Sequence, residues 1–299
     1  MTEELQDAGQ LMEKSIGRTE QARDRVSLEQ VRRLATILDF DPGLFSDGDV
    51  LPLGWHVVLF PPMAAIGSLG RDGHPPKGSF LPDLGLPRRM FAGRRVEFHA
   101  PLRIGETTER HSRIADVSFR EGRTGHMAFV TITHDLVGAG GSSLTETQTV
   151  VYREAATKGK AAPEKAAGKQ TSSQQQEQPE FKVHQVVTPS PMHLFRYSAV
   201  TFNAHRIHYD APYAREVEGY PGLVVNGGLT VLWLTELAKT LRNGPVASAE
   251  FSNRKALHVD RPIRLESRPA PGDPRTIDVR AVDDTGATAT EGRLTWASE

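Results

Sequence analysis

The sequence predicts an α+β protein made of two similar units, each an antiparallel β-sheet wrapped around a central α-helix. Three observations predict it. Strand-length runs fill two separate stretches, and no helix-length segment lies between consecutive strands, which requires antiparallel pairing. A helical apolar pattern precedes each set of strands. Between the sets lies a polar stretch over 154–180, centred on Gln174-Gln175-Gln176, whose Lys, Ala, Gln, Ser and Glu cannot bury enough apolar surface to offset the entropy of ordering. It reads as a flexible linker.

The elements follow in order. Residues 1–25 are strongly polar and read as helical or frayed. Ser27 with Gln30 fits a capping box, and Val26 with Val31 fits the hydrophobic staple around it. Leu28, Val31, Leu34, Ala35 and Leu38 continue at helical spacing. Residues 39–90 are rich in proline, glycine and aromatics, and 71–87 reads as a long irregular loop of the kind that often carries function. Strand-like runs then extend from Gly93 to Arg153, with turn signals at 121–123 and 138–141.

After the linker, Leu229 to Leu241 is apolar on nearly every side, so that helix should be buried. Asn226 can cap its start and Asn243-Gly244-Pro245 ends it. Strands follow to Trp296, with turns at 271–274 and 283–286. A faint echo between Ala100–Gly105 and Arg261–Glu266 is consistent with two copies of one plan. The expected organisation is a polar segment (1–25), a first unit (26–153), a linker (154–180) and a second unit (181–299).

Composition narrows the function. The net charge of −1 over 299 residues gives no field favouring nucleic acid or an anionic membrane. With no cysteine, disulfides, thiolate metal sites and cysteine nucleophiles are excluded. The first residues lack a hydrophobic signal core and no apolar run approaches a bilayer span, so a cytoplasmic protein is expected.

Chemistry concentrates in Phe195–Asp210, which holds two histidines, an asparagine, arginines and an aspartate, and in Gly219–Gly228, which runs into the apolar helix. A proton-transfer group beside a glycine-rich helix entrance suits chemistry next to a carbonyl. One part moves a proton and the other holds the oxygen that becomes negative.

These runs resemble the MaoC-like hydratase/dehydratases of the hotdog fold. The resemblance is nearest to the two-hotdog branch that contains mesaconyl-C4-CoA hydratase and the mitochondrial-type 3-hydroxyacyl-thioester dehydratases. It rests on Gly70–Pro75, Leu86–Gly93 and Gly122–Gly125 in the first half, and on Thr201–Asp210 and Gly219–Val225 in the second. The resemblance implies a double hotdog, with a degenerate first unit and a catalytic second unit. It also implies addition or removal of water across the α,β bond of an acyl thioester, with no metal and no cofactor beyond the CoA of the substrate. His208 stands at the family's catalytic histidine and Gly227 at its oxyanion donor. Asn203 stands where the broader family has aspartate, and Asn226 and Gly228 depart from the His-Gly-Pro of the mesaconyl branch.

Other residues carry two readings each. Alone, His208 reads as a structural histidine bonded to backbone. Asn203 reads as a water-positioning amide or a local turn former. His205 and Asp210 read as supports of the active loop, with Asp210 capping a short helix. A metal on His205, His208 and Asp210 has only generic spacing behind it. Gly227 and Gly228 also read as simple packing glycines. Arg88, Arg89 and Arg206 are candidates for a substrate carboxylate or CoA phosphate, with Arg196 as a competitor. Tyr209, Val225 and Asn226 complete the expected substrate contacts.

The expected substrate is a short dicarboxylic acyl-CoA, mesaconyl-C4-CoA or itaconyl-CoA, converted to citramalyl-CoA. The alternatives are a 3-hydroxyacyl-thioester dehydratase of fatty-acid or polyketide metabolism, a thioesterase, or a catalytically silent acyl-CoA-binding protein. A homodimer is a further expectation.

Overall fold

The computed structural model describes residues 14–78, 80–86, 88–122, 125–154 and 179–298. The linker expected over 154–180 lies outside these residues except at its two ends.

The first half contains β1 (Thr19–Arg25), β2 (Arg88–Phe98), β3 (Thr107–Gly122), β4 (Gly125–Gly138) and β5 (Gly141–Arg153). The second contains β6 (Lys182–Val187), β7 (Val246–Asn253), β8 (Ile263–Pro269), β9 (Thr276–Val282) and β10 (Thr288–Trp296). All belong to one ten-stranded sheet in the order β1-β3-β4-β5-β2-β7-β10-β9-β8-β6. Outward from the β2–β7 seam the order reads β2-β5-β4-β3-β1 one way and β7-β10-β9-β8-β6 the other. Two units of one topology therefore join edge to edge, with Val96 opposite Ala249 and Gly93 opposite Ser252. The echo noted in the sequence falls on the approaches to β3 and β8, which are equivalent strands.

The two ends of the sheet are exposed, β1 being polar and β6 mixed, with Val183 and Val186 exposed. The segment 19–25, read from sequence as part of a helical or frayed tail, is instead the edge strand β1, paired with β3. Neither β1 nor β6 carries a buried residue. The charged residues of β1 discourage pairing of that edge with other chains.

Among the described residues, three α-helices accompany the sheet: α1 (Leu28–Ile37), α2 (Pro191–Val200) and α3 (Gly227–Leu241). Ser27 caps α1 by accepting from the Gln30 N–H, and its hydroxyl also donates to Glu29, so the half of the box in which the Ser27 side chain accepts is formed. Val26 and Val31 are both fully buried, as a staple requires. Helix α2, which the sequence reading passed over, starts at Ser190, whose backbone N–H donates to His193 Nδ1. Helices α1 and α2 pack against each other across the two halves.

The halves differ where a central helix should lie. In the second, α3 buries Leu229, Leu232, Leu234, Leu237 and Ala238 against Phe251, Leu265, Val279, Ala281 and Leu294 of the sheet. In the first, the chain between α1 and β2 makes only short 3-10 turns among the described residues, at Pro42–Leu44, Trp55–Val58 and Ile66–Ser68. Its prolines and glycines do not sustain a longer helix. Trp55 ties this segment to α3 by donating to Glu236 Oε1 (2.9 Å). No helix among the described residues is long and apolar enough to cross a membrane.

Candidate active site

A cavity of about 2300 Å³ runs between the halves, along the space a first central helix would fill. Typical small-ligand pockets are roughly 300–1,000 Å³, so this one has room for an acyl group and the arm that carries it. His208, Asn203, Gly227, Gly228, Tyr197, His205, Tyr209, Val225 and Asn226 from the second half face it. So do Asp72, His74, Arg89 and Arg94 from the first.

The candidate catalytic segment, 201–210, is held by a turn at each end. Helix α2 stops at Val200, and Phe202 turns the chain at φ 51°, a strained conformation for a non-glycine residue. Asn203 Oδ1 then accepts from the His205 N–H (3.0 Å), so the amide forms the local turn. At the far end Asp210 Oδ1 accepts from the Tyr213 N–H (3.0 Å), as a cap should.

His208 is buried, and its Nδ1 lies 2.8 Å from Val224 O. A carbonyl can only accept, so Nδ1 carries the hydrogen and Nε2 keeps its lone pair. Burial pushes the imidazole down to about 4, against the pull of the carbonyl, so it is neutral at neutral pH. Three residues beyond Val224 comes Gly227. That length of chain spans at most about 11 Å, which keeps ring and helix start in one site.

The start of α3 supplies donors. The first N–H groups of a helix have no carbonyl to meet inside it. In α3 the first N–H to find one is that of Leu229, on Asn226 O (3.0 Å). The Gly227 and Gly228 N–H groups are left for an anionic oxygen, aided by the positive helix end. A Cβ on Gly227 would come 3.1 Å from Asn253 Nδ2, and one on Gly228 would overlap the Tyr197 hydroxyl. Packing and close approach thus require the same glycines. Asn226 does not cap with its side chain as expected. Its Nδ2 donates to Ser198 Oγ (3.3 Å), and its buried Oδ1 has no partner.

The first half reaches into this segment through 70–76. Gly73 (φ 89°) lies so close to Ala204 O that a Cβ would overlap it, and Asp72 O accepts from the Arg206 N–H (2.9 Å). Asp72 Oδ2 accepts from His74 Nδ1 (2.9 Å). Burial works to raise the Asp72 carboxyl, but the side-chain and backbone N–H groups of His74 outweigh it and hold the acid well below its usual range. The His74 ring lies 4.1 Å from that of His205, which meets His208 edge-on at 5.4 Å. Burial, with His74 and His208 as neighbours, pushes His205 down to about 2. Asp72, His74 and His205 have ligating atoms within 4.8 Å of one another and could hold a cation, although the acid is already committed to His74. From sequence, Gly70–Pro75 has a place in the likeness and 71–87 a place in a functional loop, but Asp72 and His74 receive no role. A carboxylate two residues from a histidine, in a loop expected to be functional, was the available signal.

The arginines divide. Arg206 is not free for substrate. Its Nη2 donates to Asp210 Oδ2 (2.7 Å), Nη1 to Arg71 O (3.1 Å), and the guanidinium lies 4.1 Å from the centre of the Tyr213 ring. It clamps the loop instead, as does Tyr209, whose hydroxyl donates to Ala204 O (3.1 Å). Arg196 is exposed on α2 and does not face the cavity. Arg89 does face it, close enough to His205 to disfavour its protonation. Arg88 opens β2, and its side chain lies outside the described set.

Comparison with known proteins gives the family and the fold. The sequence pattern of the family described as hydroxyacyl-thioester dehydratase type 2 matches residues 54–259. Mesaconyl-C(4)-CoA hydratase of Chloroflexus aurantiacus is 41% identical over 92% of this chain and 94% of its own length. Hydroxyacyl-thioester dehydratase type 2 of Schizosaccharomyces pombe is 26% identical over 71% of this chain and 76% of its own. A solved MaoC-like dehydratase shares the fold at TM-score 0.69 and 18% identity, covering 96% of this chain and 99% of that one. A Mycobacterium tuberculosis protein with a double hotdog fold matches at TM-score 0.53 and 14% identity, over 93% of this chain and 95% of its own. The chain is a double-hotdog, MaoC-like hydro-lyase, and it belongs to the hydroxyacyl-thioester dehydratase type 2 family.

Proposed function

We propose that the chain hydrates a short dicarboxylic acyl-CoA, mesaconyl-C4-CoA or the related itaconyl-CoA, to citramalyl-CoA, and can run the reverse dehydration. The observation that carries the reading is the lone pair of His208 Nε2 in the cavity that also receives the start of α3, in a chain 41% identical to a mesaconyl-C(4)-CoA hydratase.

For mesaconyl-C4-CoA, the thioester oxygen lies against the Gly227 N–H. His208 Nε2 takes a proton from water as the water oxygen bonds to the β carbon. The π electrons move onto the α carbon and thioester oxygen, where the helix start holds the charge. The imidazolium then returns its proton to the α carbon. One water is consumed and no cofactor beyond the CoA of the substrate takes part. Asn203 cannot accept the proton of water, so one imidazole serves both transfers.

The assay is the absorbance of the enoyl-thioester on mixing with mesaconyl-C4-CoA, crotonyl-CoA and a long-chain enoyl-CoA; itaconyl-CoA, whose double bond is not conjugated with its thioester, is followed by chromatography of the citramalyl-CoA formed. The expected outcome is loss of the band, fastest with mesaconyl-C4-CoA. Preference for the long chain would favour the dehydratase reading suggested by the yeast relatives. Tight binding with no loss of the band would favour the silent acyl-CoA-binding reading, which the asparagine at 203 motivates.

A further inference from the structure

We propose that Arg94 binds the free carboxylate of the acyl group, with Glu146 and His56 positioning its guanidinium; the assignment rests on the dicarboxylic reading above. Strand register locates the site. On the inner face of the first sheet, Ser112, His134, Glu146 and Val96 form one cross-strand row. Ile114, Ile132, Gln148 and Arg94 form the next. These rows lie between Leu136 and Leu144 of the main core on one side and Val130 and Val150 of a second apolar cluster on the other. In the second half α3 covers the equivalent face, and Phe251, Val279, Ala281 and Leu294 there are apolar. A polar island therefore faces the cavity where a helix is missing.

Its hydrogen bonds are incompletely matched. Glu146 is buried, lies 2.8 Å from His56 Nε2 and accepts from Gln148 Nε2. Arg94 stands 3.6 Å from Glu146, beyond a hydrogen bond, and its buried Nε has no partner. Its side chain is only 13% exposed, and the guanidinium lies 4.9 Å from the centre of the Phe91 ring. A guanidinium presents five donors in a fork that fits a carboxylate. Leaving the Nε donor unmatched in a cavity wall is costly unless a ligand supplies an acceptor.

The seam gives the distance. Arg94 is opposite Phe251 across β2–β7, and Asn253, two residues further along β7 on the same face, touches the start of α3. Two residues along a strand and one strand across place the Arg94 and Asn253 backbones about 8 Å apart. In mesaconyl-C4-CoA the carboxylate is attached to the carbon that receives the hydroxyl. A short diacid with its thioester oxygen at Gly227 can therefore present that carboxylate to Arg94.

The test compares mesaconyl-C4-CoA with its uncharged carboxyl methyl ester in the wild type, Arg94→Gln and, as a second cavity-facing arginine, Arg89→Gln. The expected result is a fall in kcat/KM of about 10- to 100-fold for the carboxylate in Arg94→Gln, with a much smaller fall for the ester. Arg89→Gln should leave the ratio between the two substrates near that of the wild type. An equal loss on both substrates in Arg94→Gln, or a changed ratio in Arg89→Gln alone, overturns the assignment. If Arg94→Gln does not fold because buried Glu146 loses its guanidinium neighbour, Arg94→Gln with Glu146→Gln removes both charges and must show the same selective loss. A wild type that turns over crotonyl-CoA but not mesaconyl-C4-CoA defeats the dicarboxylic reading itself, before Arg94 is in question.

Discussion

The two halves have one strand order and opposite interiors. The second fills its sheet with α3 and places the candidate reactive groups, His208 and the Gly227 N–H, at the helix entrance. The first has short 3-10 turns in place of that helix, and its inner face carries Arg94, His134, Glu146 and Gln148. On the proposed reading, one copy holds the reactive groups while the other gives up packing to make room for substrate. The halves remain coupled, because the 70–76 loop of the first is pressed against Ala204 of the second.

The largest break in the comparison is His208→Ala. Positioned acid–base groups contribute on the order of 100- to 10,000-fold, so turnover should fall by at least the lower figure. Circular dichroism should show the fold retained. Next comes Gly73→Ala, in the opposite half. A Cβ there meets Ala204 O and the φ is unfavourable. Strain of this kind costs roughly 1–3 kcal/mol. Turnover should fall about tenfold as the catalytic segment shifts, and retained turnover would show that the loop does not hold it.

Gly228→Ala should destabilise by about 1–3 kcal/mol, because the new methyl overlaps the Tyr197 hydroxyl. Adding Tyr197→Phe should recover part of that loss in thermal melting. The smallest effect is on pH. His208 and His134 are held at about 4 by burial, below the 6.5 of an unfolded chain. Between those values the unfolded chain binds protons that the folded one refuses. Stability therefore falls as pH falls from 6.5 towards 4. The His208 base form persists throughout, so kcat/KM should show no inflection near 6.5 while the protein stays folded.

Much of the second half was legible. Its helix is apolar on every side, and turn dipeptides punctuate its strands. The edges were not, because β1 and β6 bury nothing and so carry no alternation. Tyr197 was missed because only the fold brings its hydroxyl onto Gly228. Asp72 and His74 meet His205 across more than a hundred residues, a pairing no local pattern encodes. Arg94 had a signal that went unused. Arg95 and Glu97 are half exposed while Val96 is buried, so alternation in β2 turns Arg94 inward with Val96. The arginine pair at 88 and 89 and the motif residue Arg206 drew attention instead.

The division of labour is tested most directly by measuring His208→Ala and Arg94→Gln side by side on mesaconyl-C4-CoA and its methyl ester. The account predicts that the histidine variant loses both substrates by a similar factor and that the arginine variant loses mainly the charged one. The same pattern in both variants, or near-normal turnover by His208→Ala, would contradict it.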